Sequence, residues 1–279
     1  MDFNQQKDKI FKFVAHSNLQ CLLVLLEIDK QIDHVLVRNE LNALGLNEYY
    51  ADYVAQLDDG SYLVIEFLST VCNNFQLVKS NMYSLILSYK TRKKVETLIV
   101  LSDDDEYHRF KLENESYTLH PLIGKLFEQN GDIKLNNIRN KINNNQNLTK
   151  LERVTLIFIP LMKSEKSTKE LIIETIDLAN DIKQIVNQDK TYMDKDELNE
   201  IKICQTLFVD MYFDDDKEKQ EELMEAIDME HQLFYYIAKR TYDDGYDEGV
   251  DEATRNHIRN MKEEGLDDEL IERIIRKKQ

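Results

Sequence analysis

The spacing of apolar residues in the first sixty positions predicts a helix followed by a β-hairpin. Apolar positions at helical spacing predict a helix over residues 5–28. Residues 32–44 fit either a short strand (IDHVLV) or a continued helix. Two β-rich runs, residues 49–57 and 61–68, flank the short segment DDG at residues 58–60. Such a segment between strand-like runs is typical of a tight hairpin turn.

The pattern beyond the hairpin predicts a second helix and then a buried strand. Residues 73–92 have helical periodicity. Their predicted buried stripe consists of Leu77, Met82, Leu85, Ile86 and Tyr89. Residues 95–102 (VETLIVLS) form a nearly continuous apolar run, as expected for a strand covered on both faces. Residues 107–112 (YHRFKL) predict a weaker strand.

The second half of the chain has an almost wholly helical pattern. The Asn-rich residues 136–147 suit a linker or an exposed helix start, and residues 150–213 return to helical periodicity. Residues 256–278 form an amphipathic stripe, which packs on its own domain or on a partner chain, so a homodimer through C-terminal helices is one expectation. The elements predict an α/β (α+β) domain over residues 1–135, followed by an acidic helical region over residues 136–279.

Charge and cysteine usage limit the possible partners and the compartment. The net charge is −17, of which residues 1–150 contribute −3 and the remainder −14. Such an acidic protein binds DNA poorly unless a basic patch or a bound metal overcomes the field. The three cysteines have no zinc-binding spacing, which favours a reduced, cytoplasmic protein. The longest apolar run, residues 22–26, is too short to span a membrane.

Two acidic residues in the hairpin are the main candidates for chemistry. If DDG is the turn, Leu57 pairs with Ser61, and the same register places Asp52 opposite Glu66. Directly opposed side chains have Cβ atoms about 4.5–5.5 Å apart, and like charges there are destabilising. A divalent cation such as Mg²⁺ would relieve the repulsion. The alternatives are a register shift or bulge, a protonated carboxyl, or a salt bridge.

Several segments, taken in chain order, resemble the PD-(D/E)XK family transposases, also called recombination-promoting nucleases. The hairpin segments are similar to the "AD-x-V … DG … hIEFQST" signature of that family, and the others to its opening helix, its middle strand, its "LPLM" helix and its closing glycines. The matching segments are residues 7–12 (KDKIFK), 51–54 (ADYV), 59–60 (DG), 65–70 (IEFLST), Lys79 with Tyr83, 94–100 (KVETLIV), 156–162 (LIFIPLM), and Gly245 with Gly249.

The resemblance implies an αβββαβ nuclease core, a divalent metal (Mg²⁺ or Mn²⁺), hydrolysis of DNA phosphodiesters and a connection with recombination or mobile elements. It makes Asp52 and Glu66 the metal ligands. The third motif position, Lys or Gln in the family, is Leu68 here. Leucine can neither position water nor neutralise charge. A basic residue on the following helix, Lys79, could replace it, although Lys79 also reads as an ordinary solvated lysine.

Three functional hypotheses follow. The chain is an active metal-dependent DNA endonuclease, a degenerate nuclease kept as a binding or interaction module, or a helical regulatory protein of similar topology only. The basic run at residues 92–94 is the best candidate for touching a DNA backbone, although cations also favour helix C-termini. Glu48 is a candidate auxiliary acid, or a plain surface residue.

Overall fold

The structure is a computed structural model that describes residues 3–36, 51–113 and 118–227. In chain order, its elements are α1 (Phe3–Leu25), β1 (Ile32–Val35), β2 (Tyr53–Leu57), β3 (Tyr62–Leu68), α2 (Asn74–Thr91), β4 (Val95–Leu101), β5 (Leu112–Glu113), β6 (Thr118–Leu119), β7 (Leu122–Lys125), α3 (Gly131–Asn143), α4 (Lys150–Phe158), α5 (Thr168–Gln188), α6 (Lys195–Tyr212) and α7 (Lys217–Ile227), with 3₁₀ turns at Leu126–Glu128 and Ile159–Leu161. Residues 1–223 form one compact unit, and residues 224–279 form a second.

A five-stranded mixed sheet forms the centre of the first unit, in the order β1-β2-β3-β4-β7. The first three strands are antiparallel neighbours, whereas β4 lies parallel to β3 and β7 lies parallel to β4. Strand β3 is buried along its whole length. Its sequence is almost continuously apolar because both faces of the sheet are covered. The mixed α/β class predicted from the sequence is confirmed at this level.

The two faces of the sheet are covered by different helices. On one face, Phe67 of β3 stacks on Phe11 of α1, with ring centroids 5.2 Å apart. On the other face, Leu68 packs with Leu77 of α2 and with Ile99 of β4. Neighbouring strand residues point to opposite faces, so Glu66 shares the face of Leu68. Glu66 therefore lies beneath α2.

The helices of the second half pack against the first helix. Helix α1 contacts α4 and α6, and Phe11 also stacks on Phe158 of α4, at 4.9 Å between centroids. The proposed boundary between residues 135 and 136 lies inside α3, within the first unit. That division stays a prediction.

Most sequence-based element predictions in the first half agree with the structure. The predicted helix over residues 5–28 is α1, which has a kink at Asn18 and ends at Leu25. Of the two alternatives for residues 32–44, the strand is observed at Ile32–Val35. The strand predicted at residues 107–112 is wrong for residues 107–111, since β5 begins only at Leu112. Residues 256–278, Gly245 and Gly249 lie outside the described residues.

The predicted buried stripe of α2 is wrong except for Leu77. The residues that face the sheet are Leu77, Ser80, Ser84 and Leu87. Hydroxyl groups are tolerated there because they are hydrogen-bonded: Ser84 Oγ lies 2.6 Å from Thr97 Oγ1 of β4, and Ser80 Oγ donates to a backbone carbonyl of its own helix. The small serines let α2 lie close to the sheet, which turns its larger apolar side chains outward.

Ser167 begins α5 with a capping box. Its Oγ accepts from the Glu170 amide, while the Glu170 carboxylate accepts from the Ser167 amide at 2.8 Å. We expect Ser167→Ala to lower the free energy of unfolding by about 1 kcal/mol, because a helix-end amide loses its acceptor. Urea denaturation measures this effect. Ser167→Asn keeps an acceptor and is the control; an equal loss in both variants would contradict the capping explanation.

None of the helices among the described residues is long and apolar enough to cross a bilayer.

Candidate functional site

The hairpin register brings the two candidate acids to the same end of β2 and β3. Tyr53 lies opposite Ile65, and Val54 lies opposite Val64. The register is the predicted one, and one further step from Tyr53 and Ile65 sets Asp52 against Glu66. Gly60 has the positive φ of 79° that the turn requires. The turn chemistry of residues 58–60 thus fixes which acids meet.

Asp52 is held by both of its carboxylate oxygens. Its Oδ2 accepts a 2.8 Å hydrogen bond from the backbone amide of Phe67, on β3. Its Oδ1 lies 2.7 Å from the Lys12 amine, on α1. The Asp52 side chain therefore accepts the hydrogen bond that the Phe67 amide would otherwise donate to a backbone carbonyl of the facing strand. The carboxylate of Asp52 links α1, β2 and β3.

Glu66 is buried beneath α2 and is only partly paired. Its exposed fraction is 2 %. Its Oε2 lies 3.7 Å from the amine of Lys79 on α2, a separation too long for a good hydrogen bond. Its Oε1 is buried without a hydrogen-bond partner in the described part of the chain. An unpaired buried carboxylate oxygen is costly, so it points to a missing ligand or a proton.

Burial and the neighbouring charge of Asp52 raise the pKa of Glu66 to about 7. Lys79, the backbone amide of Asp52 and Lys12 act in the opposite direction and do not compensate. Burial disfavours the charged form of a carboxyl group, and a second carboxylate nearby does the same. The two acids therefore sit close enough to repel each other, and a cation between them would remove that repulsion.

Each acid thus has a lysine neighbour, and only one of the two was a sequence-based candidate. Lys79 was predicted to approach the site, and its amine lies beside Glu66 and 5.7 Å from the centre of the Tyr83 ring. Lys12 was missed. Its position at the end of the opening segment, KDKIFK, is the sequence feature that could have identified it. The salt-bridge alternative for these acids is therefore partly realised.

Leu68 shares the face of Glu66, as predicted, but it is buried in an apolar cluster. Its neighbours there are Cys72, Leu77, Ile99 and Leu101. Leucine has no polar atoms in its side chain, so Leu68 offers no polar group to the site.

Gln76 is a second residue that sequence reasoning missed. It lies three residues before Lys79, so the two side chains are neighbours on one flank of α2. Its Oε1 is also buried without a hydrogen-bond partner among the described residues. The sequence carried no motif that would have selected it.

The basic run proposed to touch DNA is exposed and also makes contacts within the protein. Arg92 lies over the Tyr89 ring at 4.8 Å, and Lys93 lies over the Tyr62 ring at 5.1 Å. The Lys94 amine is 3.3 Å from a carboxylate oxygen of Glu96. Contact of this run with a DNA backbone stays a prediction.

The acidic run at residues 103–106 is partly tied to the core. Asp103 lies 3.2 Å from His108 Nε2 and 3.7 Å from the Lys7 amine, which is buried. His108 Nδ1 accepts from the backbone amide of Cys72, so Nε2 carries the proton and donates to Asp103. This network fastens the loops that follow β3 and β4 to α1.

The acid pair fits a small ligand set for Mg²⁺ or Mn²⁺. Within residues 3–36, 51–113 and 118–227, no group of three or more His, Cys, Asp or Glu side chains is placed to hold a metal ion. Mg²⁺, however, is often bound by one or two carboxylates, with water and substrate phosphate completing the shell. The unpaired Glu66 oxygen and the repulsion from Asp52 match that set. Glu48 lies outside the described residues.

Comparisons with protein-family models, curated proteins and solved structures each found no match.

Proposed function

We propose that this chain is a metal-dependent DNA endonuclease of the PD-(D/E)XK type, which hydrolyses phosphodiester bonds at Asp52 and Glu66. The observation that carries the proposal is the buried Glu66 carboxylate. Its Oε1 lacks a hydrogen-bond partner among the described residues, and the nearby Asp52 carboxylate repels its negative charge. Buried carboxylates with shifted pKa values are concentrated at functional sites.

The roles of the residues follow from their contacts. Asp52 and Glu66 would hold Mg²⁺ or Mn²⁺ through their carboxylates. When bound, such an ion would supply Lewis-acid activation of the phosphate and of an attacking water. The side chain of Lys79 is partly exposed where it contacts Glu66. It binds a phosphate oxygen of the substrate and offsets the negative charge of the phosphate. Lys12 stays on Asp52 and keeps that carboxylate oriented through the 2.7 Å ion pair between them.

The order of elements supports the same proposal. A helix, three antiparallel strands, a helix and a parallel strand follow one another from α1 to β4. This is the order that the αβββαβ core requires; Asp52 directly precedes the second strand and Glu66 lies on the third. The chain-order resemblance described above points to the same family.

A degenerate nuclease, retained as a binding or interaction module, is the second candidate. It is favoured by Leu68, which stands at the third motif position and is packed in the apolar cluster with Leu77 and Ile99. The lysine neighbours of both acids also reduce the need for a cation.

Plasmid cleavage distinguishes the two candidates. We expect the full chain to nick supercoiled plasmid with Mn²⁺ or Mg²⁺ but not with EDTA. Glu66→Gln and Asp52→Asn should each lower the rate by about 100-fold or more, because each removes a charge that holds the ion. The amide in Asp52→Asn still accepts from Phe67, so the strand pair is kept. Glu222→Gln, on the exposed face of α7, is the matched control.

Calorimetric titration with Mn²⁺ separates loss of chemistry from loss of the site. Binding that disappears in Glu66→Gln, without cleavage by the wild type, would favour the degenerate protein. If the wild type neither bound Mn²⁺ nor cleaved the plasmid, the metal proposal would be ruled out. Equal cleavage by all variants would mean that a contaminating nuclease cuts the plasmid.

A further inference from the structure

Helix α2 presents a continuous apolar stripe on its outer surface. Its members and their exposed fractions are Phe75 (72 %), Met82 (53 %), Leu85 (65 %), Ile86 (41 %) and Tyr89 (67 %). They account for five of the nine exposed large hydrophobic residues in the described part of the chain. Such a concentration on one helix marks an interaction surface, whereas scattered exposed apolar residues need no explanation.

The stripe is separate from the side of α2 that packs on the sheet. That side is formed by Leu77, Ser80, Ser84 and Leu87. The members Met82, Leu85, Ile86 and Tyr89 recur at the spacing i, i+3, i+4 and i+7 of a single helical face. Helix α2 therefore has two packing faces, and only the inner one is occupied within the described residues.

The charge around the stripe is unlike that of the chain as a whole. The chain has a net charge of −17, yet no Asp or Glu occurs between Asn74 and Thr91. The only charged residues of the helix are Lys79 and Lys90. Two copies of a protein with this net charge repel each other. They can approach with least repulsion where acidic side chains are absent.

The stripe is also complementary to itself. Phe75 lies seven residues before Met82, and Tyr89 lies seven residues after it. Two antiparallel copies of the helix, related by a two-fold axis near Met82, bring Phe75 of one copy opposite Tyr89 of the other. Closed dimers use such isologous surfaces. The contact would extend over about four helical turns, or roughly 21 Å.

We infer that the outer face of α2 binds a second copy of this chain, and that α2 pairs with its counterpart in antiparallel fashion. A lipid surface fits less well. Helices that lie on membranes carry Lys and Arg along their polar flanks, whereas Lys79 is turned toward Glu66 and the remaining basic residues stand at one end of α2. The inference is independent of the metal proposal.

Sedimentation equilibrium of the full chain tests the dimer. We expect the wild type to dimerise and Leu85→Asp to raise the dissociation constant by about 30-fold or more, because a charge would be buried at the centre of the contact. Ile133→Asp is the matched control, since Ile133 of α3 is 58 % exposed but lies off the stripe. It should leave the constant unchanged. Far-ultraviolet circular dichroism confirms that both variants are folded.

Cysteine crosslinking tests the geometry directly. Met82→Cys, near the proposed axis, should give a disulfide-linked dimer under mild oxidation, whereas Ile133→Cys and the wild type should not. The wild type controls for Cys21, which is only half-buried.

Three results would overturn the inference. The wild type could remain monomeric at about 100 µM, a concentration at which a dimer with a dissociation constant of about 10 µM would mostly have formed. Leu85→Asp could leave the dimer intact, which would assign it to another surface. Monomeric protein could sediment with phosphatidylglycerol vesicles and lose that binding in Leu85→Asp, which would make the stripe a membrane-binding face.

Discussion

Replacing Phe11 with alanine is expected to lower the free energy of unfolding by about 3–5 kcal/mol, the usual loss for a large aromatic side chain in a core. Phe11 is 2 % exposed and stacks on two other rings, Phe67 of the sheet and Phe158 of α4. The cavity left by the substitution would open between the sheet and the C-terminal helices. Both sides therefore lose contacts at once.

Urea denaturation followed by tyrosine fluorescence and by circular dichroism measures this loss. Because Phe11 joins the sheet to α4, we expect a single transition with the same midpoint by both signals, in the wild type and in Phe11→Ala. Tyr107→Ala is the control, since that ring is two-thirds exposed and its loss should change stability by no more than about 0.5 kcal/mol. Two separate transitions would show that the halves of the chain unfold independently.

Glu66→Gln is expected to stabilise the metal-free protein at pH 8 by about 3 kcal/mol. The pKa of Glu66 in the folded protein is about 7, above its ordinary value of 4.5, and each unit of difference corresponds to about 1.4 kcal/mol. A raised carboxyl pKa favours folding fully below pH 4.5, and this contribution is lost as the pH rises to 7 and above. Glutamine keeps the shape and never ionises.

The dependence of the stability difference on pH tests this prediction. The stability difference between Glu66→Gln and wild type, measured by urea denaturation in EDTA, should be small near pH 4.5, grow up to pH 7 and remain level above it. A difference that does not vary with pH would show that Glu66 is not a desolvated acid. Saturating Mn²⁺ at pH 8 should restore the stability of the wild type and leave Glu66→Gln unchanged, if the ion binds there.

Glu174 provides a control of opposite sign. Burial alone would raise its pKa, but the hydrogen bonds and charges of Lys166 and Arg139 hold the pKa below its usual range. Such a group stabilises the fold above its ordinary pKa, and this stability is lost as the pH falls through the lowered value. Glu174→Gln should therefore destabilise the protein at pH 8 and approach the wild type at low pH.

The hairpin was predictable from sequence because its information is local. The DDG turn fixes the register, and a period of two assigns each side chain to a face. The acids Asp52 and Glu66 followed from that register alone. The position of α4 after the Asn-rich segment was equally local, since Thr149 and Glu152 form a capping box at its start.

The orientation of α2 and the lysine on Asp52 were not predictable in this way. Helical periodicity identified an apolar stripe in α2, but it could not tell a face that packs on the sheet from one directed outward. The serine side faces the sheet because Ser84 finds Thr97 of β4, a partner that only the fold supplies. The contact of Lys12 with Asp52 joins residues forty positions apart and depends on how α1 crosses the sheet.

The bond between the Asp52 carboxylate and the Phe67 amide bears on how divergent relatives should be read. An aspartate at this position closes a strand pair whether or not any ion is bound. Natural selection for a stable hairpin would therefore preserve it even in a protein that has lost catalysis. Glu66 instead keeps one oxygen without a hydrogen-bond partner among the described residues and costs stability when ionised. Retention of the glutamate, more than of the aspartate, would mark lineages in which the centre is still in use.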